Sequence, residues 1–262
     1  MKKLLIILLT LGPIVLFTGC ISHYCIRGDS PQLDSNLTHF LHQWRDNTTA
    51  PIRDGKYTHI YLNGDGSQGK KLALTFDDSP DENNTDKVLD ILKFYRIKAS
   101  FFMIGAPMVD QNITVTKRAF DEGHLVLNHS FTHPHFSKID KERIVDELNA
   151  TSHRIENITG KHPLLFRPPY GSINQEVMDT INDQGYTTIL WSLDSLDWAL
   201  QDKDAITENV ITHVQNGDII LMHSSRANHA SVEALPGIIE QLQSKGYTFL
   251  RLDDMLGIKA YR

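Results

Sequence analysis

The sequence predicts an α/β fold in which parallel strands form a closed or nearly closed barrel. From Lys70 onward, short apolar runs alternate with longer amphipathic runs, as expected for strand–helix units that build a parallel sheet. Seven of the apolar runs have strand length, which predicts a barrel of seven strand–helix units. Reactive polar side chains follow several of these runs, and barrels of this type carry their chemistry at the strands' carboxyl ends.

The predicted strands are short and apolar, and they span residues 72–76, 99–104, 125–128, 164–167, 187–192, 218–222 and 247–251. The predicted helices between them are amphipathic, and they span residues 85–95, 141–158, 174–183, 204–214 and 232–244. Gly185 and Gly246 stand where the helices before them should end.

The N-terminus has the layout of an export signal. Two lysines precede an apolar run over residues 4–17, which is shorter than the roughly 20 residues of a membrane-spanning helix. The run ends in Phe17-Thr18-Gly19-Cys20, which resembles a bacterial lipobox, although Phe17 replaces the usual leucine. We predict a signal peptide over residues 1–19 and an exported protein that is anchored to the membrane by lipid on Cys20. Cleavage elsewhere, or an uncleaved signal anchor, is the alternative.

The remaining chain divides into a polar segment, residues 20–69, and a catalytic domain, residues 70–262. The polar segment is predicted to be a tether with a short helix near residues 37–44 and a strand near 57–62. A formal charge of -6 and the absence of a long basic run give no support to a nucleic-acid partner. With two cysteines, the fold does not depend on a disulfide framework.

Two adjacent carboxylates, Asp77 and Asp78, follow the first predicted strand. They repel each other unless a cation lies nearby, and in a regular strand they would point to opposite faces. Ser79-Pro80 ends the strand and could turn both toward one site. A solvated acidic turn is the alternative interpretation.

Two histidines, His129 and His133, follow the third predicted strand. Neutral imidazoles four residues apart suit zinc, and Pro134 favours a loop or a single turn over a regular helix. With Asp78 they form a set with open coordination positions, which is typical of catalytic zinc. Two solvent-exposed histidines are the alternative.

Arg167 ends the fourth predicted strand and precedes Pro168-Pro169-Tyr170-Gly171. Prolines stiffen the backbone, and Arg167 could pair with a carboxylate and keep it ionised. A plain proline-rich loop is the alternative.

Asp194 and His223 follow the next two predicted strands. An aspartate beside a histidine forms a general acid together with the group that orients it. A buried histidine with satisfied hydrogen bonds is the alternative.

The order and spacing of these clusters over about residues 70–256 resemble the polysaccharide deacetylase family, carbohydrate esterase family four, also called the NodB-homology domain. The resemblance implies an α/β fold with a distorted (β/α)7 barrel similar to a TIM barrel, the NodB-homology fold. Ser79 departs from the family's usual glycine.

The resemblance also implies roles. Asp77 would be the general base, positioned by Arg167, and His223 the general acid, tuned by Asp194. The backbone N–H of Tyr170 would hold the oxyanion. The other implied residues are the ligands of a divalent metal, zinc or else cobalt, nickel or manganese, and the walls of the acetyl pocket: Asp78, His129 and His133 for the metal, and Trp198, Leu221, Pro168 and Pro169 for the pocket.

The expected function is metal-dependent removal of N-acetyl groups from N-acetylglucosamine residues of a cell-wall polysaccharide, chiefly peptidoglycan, by a membrane-anchored monomer. Chitin oligomers, poly-N-acetylglucosamine and acetylated xylan are alternative substrates, because the motifs serve the acetyl group and not the rest of the glycan. A non-catalytic glycan-binding domain is the alternative of another class, and it predicts that Asp77 is dispensable.

Overall fold

The computed structural model describes residues 24–262. The strands in this range are β1 (Ile60–Tyr61), β2 (Lys71–Ser79), β3 (Ser100–Met103), β4 (Leu125–Asn128), β5 (Leu165–Phe166), β6 (Thr187–Ile189), β7 (Leu193–Asp194), β8 (Ile219–His223) and β9 (Thr248–Phe249). The helices are α1 (Ser35–Arg53), α2 (Asn84–Tyr95), α3 (Gln111–Asp121), α4 (Lys141–Thr159), α5 (Gln175–Asp183), α6 (Lys203–His213), α7 (His229–Ser244) and α8 (Leu252–Leu256).

The strands pair in parallel in the order β1-β6-β5-β4-β3-β2-β8-β7, and β9 pairs with β2. Between β6 and β7 the chain crosses from the second position of this order to its opposite end. The N–H of Leu190 donates to the carbonyl of Tyr61 beside β6, and that of Ser192 donates to the carbonyl of Ile219 in β8. The predicted α/β fold with a distorted barrel is therefore confirmed.

The side chains of β2 alternate between two environments, as the pleat of a strand requires. Leu72, Leu74 and Phe76 pack in the cluster that includes buried residues of α2 and α7. Ala73 belongs to a second cluster that includes Leu221 of β8. Asp77 continues the alternation of Ala73 and therefore stands on this second face.

The seven predicted strands are present with shifted ends, except that the predicted strand 187–192 ends at Ile189 and the separate β7 follows it. The five predicted helices are also present. α3 and α8 were missed. α3 contains four β-branched residues in succession, Ile113, Thr114, Val115 and Thr116, which lower helix propensity; its place in the fold is fixed by packing.

Residues 24–69 differ from the prediction, because they do not form a tether. α1 is 19 residues long, and the side chain of Asp34 caps its first turn. Leu41, Arg45 and Ile52 of α1 are buried, and β1 joins the sheet beside β6. The short helix predicted near residues 37–44 lies within the longer α1, and the strand predicted near 57–62 contains β1. The catalytic domain therefore begins before the predicted boundary at residue 70.

The predicted signal peptide, Cys20 and the lipobox lie outside the described residues. Between residues 24 and 262, no helix combines the length and apolar character needed to cross a bilayer.

Candidate active site

The predicted site residues come together at the carboxyl ends of neighbouring strands. Asp77 at the end of β2 is in register with His223 at the end of β8. The N–H of Arg167, which follows β5, donates to the carbonyl of Asn128 at the end of β4. Residues far apart in sequence thereby line one end of the barrel, where barrel enzymes carry their chemistry.

The two adjacent carboxylates both reach this site because the backbone turns at Asp78. Asp78 has a φ of 62°, and the pairing of β2 with β3 shifts register between Phe76 and Ser79. The chain thus turns at Asp78, one residue before the predicted break at Ser79-Pro80. Pairing with β3 resumes at Ser79, so that β2 includes this residue. The φ angle of Ser79 is not positive, so this position does not need the conformational freedom of the glycine that the family usually has there.

Asp78, His129 and His133 form a candidate metal site. The Oδ1 atom of Asp78 lies 3.4 Å from Nε2 of His129 and 3.1 Å from Nε2 of His133. One ligand atom from each of the three residues falls within 4.8 Å of the others. This confirms the grouping that the sequence predicted.

The hydrogen bond at Nδ1 of His129 leaves its other ring nitrogen suited to bind a cation. Nδ1 of His129 is 2.7 Å from the carbonyl oxygen of Arg167, and a carbonyl can only accept, so Nδ1 carries the hydrogen. A neutral His129 then turns the lone pair of Nε2 toward Asp78. Oδ1 of Asp78 is buried without a hydrogen-bond donor. Such a convergence of lone pairs is stabilised by a bound metal ion, and the backbone carbonyl is the usual kind of outer partner for a metal-binding histidine.

Charge also favours a cation at Asp78. Burial by itself raises the pKa of this carboxyl, but when His129 and His133 donate an N–H to it they outweigh burial and lower the pKa below its usual value; a bound cation in place of those hydrogens would lower the pKa in the same way. Asp78 is therefore ionised at neutral pH, as a metal ligand must be.

Asp77 is paired with a fully buried arginine. Nη1 of Arg167 donates to Oδ1 of Asp77 at 2.7 Å and to Oγ1 of Thr75 at 2.9 Å. Nε and Nη2 donate to the carbonyl oxygens of Ile189 and Leu190 at 3.1 Å and 2.9 Å. Burial lowers the pKa of Arg167, and Asp77 opposes that shift. The guanidinium holds the Asp77 carboxylate in place and stabilises its negative charge.

The structure corrects the predicted partner of His223. Nδ1 of His223 lies 2.7 Å from Oδ1 of Asp197, and the backbone N–H of His223 donates to Oδ2 of Asp197 at 2.7 Å. Asp194 instead accepts hydrogen bonds from the N–H of Leu196 and from Nε1 of Trp198. The chain turns at Leu196, where φ is 60°, and the turn brings Asp197 rather than Asp194 to the end of β8.

The partner sets the charge of His223. Burial by itself lowers the pKa of this imidazole, but Asp197 outweighs burial and raises the pKa from 6.5 to about 10. The ring is therefore protonated at neutral pH. Because the pKa is raised, the pair stabilises the fold fully below about pH 6.5, and this stabilisation is lost as the pH rises through about 10.

The predicted pocket residues belong to the segments that carry these groups. Leu221 is 3% exposed and Trp198 is 39% exposed, while Pro168 and Pro169 are buried. Tyr170 has a φ of 59°, and its ring centroid lies 4.7 Å from that of His133. The turn at Tyr170 therefore stands next to the candidate metal site.

The N-terminal helix supports this turn. The rings of Trp44 and Trp191 stack with centroids 5.6 Å apart. Gly171 fits against them so closely that a Cβ atom there would lie 2.8 Å from Trp44. Sequence reasoning missed Trp44 because it lies in the segment interpreted as a tether. It missed Asp197 because Asp194 and Asp197 belong to one short motif that offered no way to choose between them.

The sequence model of the polysaccharide deacetylase family matches residues 64–189. A peptidoglycan-N-acetylglucosamine deacetylase from Bacillus cereus is 36% identical over 71% of this chain and 68% of its own length. The chain belongs to the polysaccharide deacetylase family.

Two further comparisons agree with this membership. A peptidoglycan-N-acetylmuramic acid deacetylase, PdaA of Bacillus subtilis, is 36% identical over 79% of this chain and 78% of its own length. The crystal structure of the Bc1960 peptidoglycan N-acetylglucosamine deacetylase superposes with a TM-score of 0.75 at 33% identity, covering 79% of this chain and 97% of that one. The deacetylase is thus an enzyme of carbohydrate esterase family four, a metal-dependent family.

Replacing Asp197 by asparagine should shift the alkaline limb of the pH–rate profile to lower pH. Without the anionic partner, the pKa of His223 falls from about 10, by about 1–3 units for the loss of an adjacent opposite charge. The measurement is kcat/KM between pH 5 and 10 for the parent and Asp197→Asn. Asp204→Asn, which changes an exposed carboxylate of α6, is the control. An unchanged alkaline limb in Asp197→Asn would show that Asp197 does not determine the pKa of the acidic group that limits the rate at high pH.

Proposed function

We propose that the deacetylase hydrolyses N-acetyl groups of N-acetylglucosamine residues in peptidoglycan. One observation carries the proposal: the Asp77–Arg167 pair, the Asp78–His129–His133 set and the Asp197–His223 pair meet at one end of the barrel. Amide hydrolysis needs a base, an electrophilic group and an acid in one place, and these three groups can supply them. The named activities of the relatives support peptidoglycan as the substrate.

The donor set supports zinc as the metal. Two imidazole nitrogens and one carboxylate oxygen, with open positions, are typical of catalytic zinc, and cobalt, nickel or manganese can bind the same donors. Asp78, His129 and His133 would hold the ion. When bound, a divalent ion polarises an acetyl carbonyl and lowers the pKa of water toward about 7.

Asp77 is suited to act as the general base. It accepts one proton from the attacking water as the new carbon–oxygen bond forms. Its Oδ1 is held by Arg167, and its Oδ2 lies 3.7 Å from Nε2 of His129. The base is therefore fixed beside the candidate metal site, where the water must attack.

The backbone N–H of Tyr170 would donate to the oxyanion of the tetrahedral intermediate, and fixed donors of this kind supply a large part of catalysis. His223 then gives its proton to the departing amine as the carbon–nitrogen bond breaks. Its Nδ1 is held by Asp197, which leaves Nε2 for this transfer. The products are acetate and the free amino sugar.

Trp198 and Leu221 are placed to enclose the acetyl methyl group, with the buried Pro168 and Pro169 stiffening the neighbouring loop. N-acetylmuramic acid is a second candidate sugar, because the chain resembles PdaA over most of the length of both proteins. Chitin oligomers, poly-N-acetylglucosamine and acetylated xylan carry the same acetyl group and are further outcomes of a substrate assay.

Export and anchoring are also proposed. A charged start, an apolar run and a lipobox-like Phe17-Thr18-Gly19-Cys20 support a lipoprotein held outside the cytoplasm by lipid on Cys20. A membrane tether would keep the deacetylase, proposed to be a monomer, next to the cell wall.

Acetate release tests the proposed activity. The purified protein with zinc should release acetate from purified peptidoglycan, and a chelator should abolish this release. Asp77→Asn should reduce release by at least about 100-fold, the usual contribution of a general base. N-acetylglucosamine oligomers and acetylated xylan serve as comparison substrates, and mass spectrometry of digested peptidoglycan tells which sugar has lost its acetyl group. Release that survives Asp77→Asn would contradict the mechanism, and glycan binding without any release would favour the non-catalytic alternative.

Lipid labelling tests the anchor. Cells expressing the full chain should incorporate labelled palmitate into the protein, and Cys20→Ala should abolish the label. Ser22→Ala is the matched control, because Ser22 lies two residues further along the same segment. Equal labelling of the parent and Cys20→Ala would exclude lipid on Cys20.

A further inference from the structure

A buried carboxylate of α4 lies behind the loop that carries both histidines of the candidate metal site. Glu147 is 2% exposed, and no step of the proposed amide hydrolysis uses it. A carboxylate buried to this degree is unfavourable unless several donors compensate its charge. Its partners therefore indicate what it does.

Those partners are the middle residues of the histidine loop. Oε2 of Glu147 accepts the backbone N–H of Phe131 at 2.7 Å and that of Thr132 at 2.6 Å. Oε1 accepts the hydroxyl of Thr132 at 2.6 Å. Arg143, one helical turn earlier in α4, pairs with Oε1 at 2.6 Å. Bonds to an ionised acceptor are roughly twice as strong as neutral ones.

The loop needs such support because its backbone is strained. Ser130 and His133 have φ values of 66° and 61°, in the left-handed region that residues other than glycine avoid. Conformations of this kind persist only when the surroundings enforce them.

The two ends of the loop are tied by their own side chains. The N–H of Ser130 donates to Oδ1 of Asn128, and the N–H of His133 donates to Oγ of Ser130. Glu147 holds the segment between these ties. The separation of His129 and His133 therefore depends on it.

We propose that Glu147 is a positioning residue that sets the geometry, and hence the metal affinity, of the Asp78–His129–His133 site. The inference rests on the proposed metal site. It concerns a contact with the loop rather than with the metal or the substrate. Outer groups that orient metal ligands typically change metal affinity or activity by about 10- to 100-fold.

The variants separate charge from shape. Glu147→Ala removes all the bonds to the loop, whereas Glu147→Gln keeps one carbonyl oxygen for the backbone N–H groups of Phe131 and Thr132. Thr132→Val keeps both backbone N–H bonds and removes the hydroxyl, which donates to Glu147 and accepts from Arg143 at 3.3 Å. Asp146→Asn is the matched control, because it neutralises an exposed carboxylate next to Glu147 on the same helix.

The test measures zinc affinity of the metal-free protein by competition with a chromophoric chelator. The visible spectrum of the cobalt-loaded protein reports ligand geometry independently, and circular dichroism verifies folding. Glu147→Ala should bind zinc about 10- to 100-fold more weakly and alter the cobalt spectrum. Glu147→Gln should lose less, and Asp146→Asn should match the parent.

Parental zinc affinity and an unchanged cobalt spectrum in folded Glu147→Ala would overturn the proposal. If Glu147→Ala does not fold, parental values in both Glu147→Gln and Thr132→Val would overturn it equally. A parent that binds zinc but releases no acetate would instead contradict the proposed function and leave this inference intact.

Discussion

The fully buried guanidinium of Arg167 is the group on which the rest of the site depends. It donates to Asp77, the proposed base, to Thr75 of the same strand and to the carbonyls at the exit of β6. Its own carbonyl accepts from His129. One residue thus links the proposed base, a metal-ligand candidate and the segment that connects β6 with β7. Breaking a buried pair of this kind typically costs about 3–5 kcal/mol, because the remaining charge is left unpaired.

Around this charge, the site places several residues other than glycine in the left-handed region: Asp78, Ser130, His133, Tyr170 and Leu196. Each lies in or beside a segment that carries a reactive group. Because such conformations are costly, the surrounding bonds must enforce them. The support comes partly from Glu147 behind the histidine loop, and partly from Trp44 beneath the turn at Tyr170. Rigid support of this kind fixes the reactive groups before substrate binds.

The sequence predicted the barrel and most of the site because the parallel strands deliver their carboxyl ends to one place. Asp78, His129 and His133 converge as predicted, and so do Asp77 and Arg167. The partner of His223 was predicted wrongly, since only the turn at Leu196 decides between Asp194 and Asp197. The role of α1 was also missed, because burial of a mostly polar helix depends on partners such as Trp191 that lie far away in the sequence. Glu147 looked like any acidic residue of an amphipathic helix, because its donors are backbone groups that no residue pattern displays.

Oδ1 of Asp78 converges with Nε2 of His129 and of His133, and anomalous diffraction from a zinc-soaked crystal tests directly whether the three atoms bind one ion. A site built as described predicts one strong peak at about 2.0–2.2 Å from all three atoms. No peak at this place, or zinc held by other residues while these three stay unliganded, would contradict it.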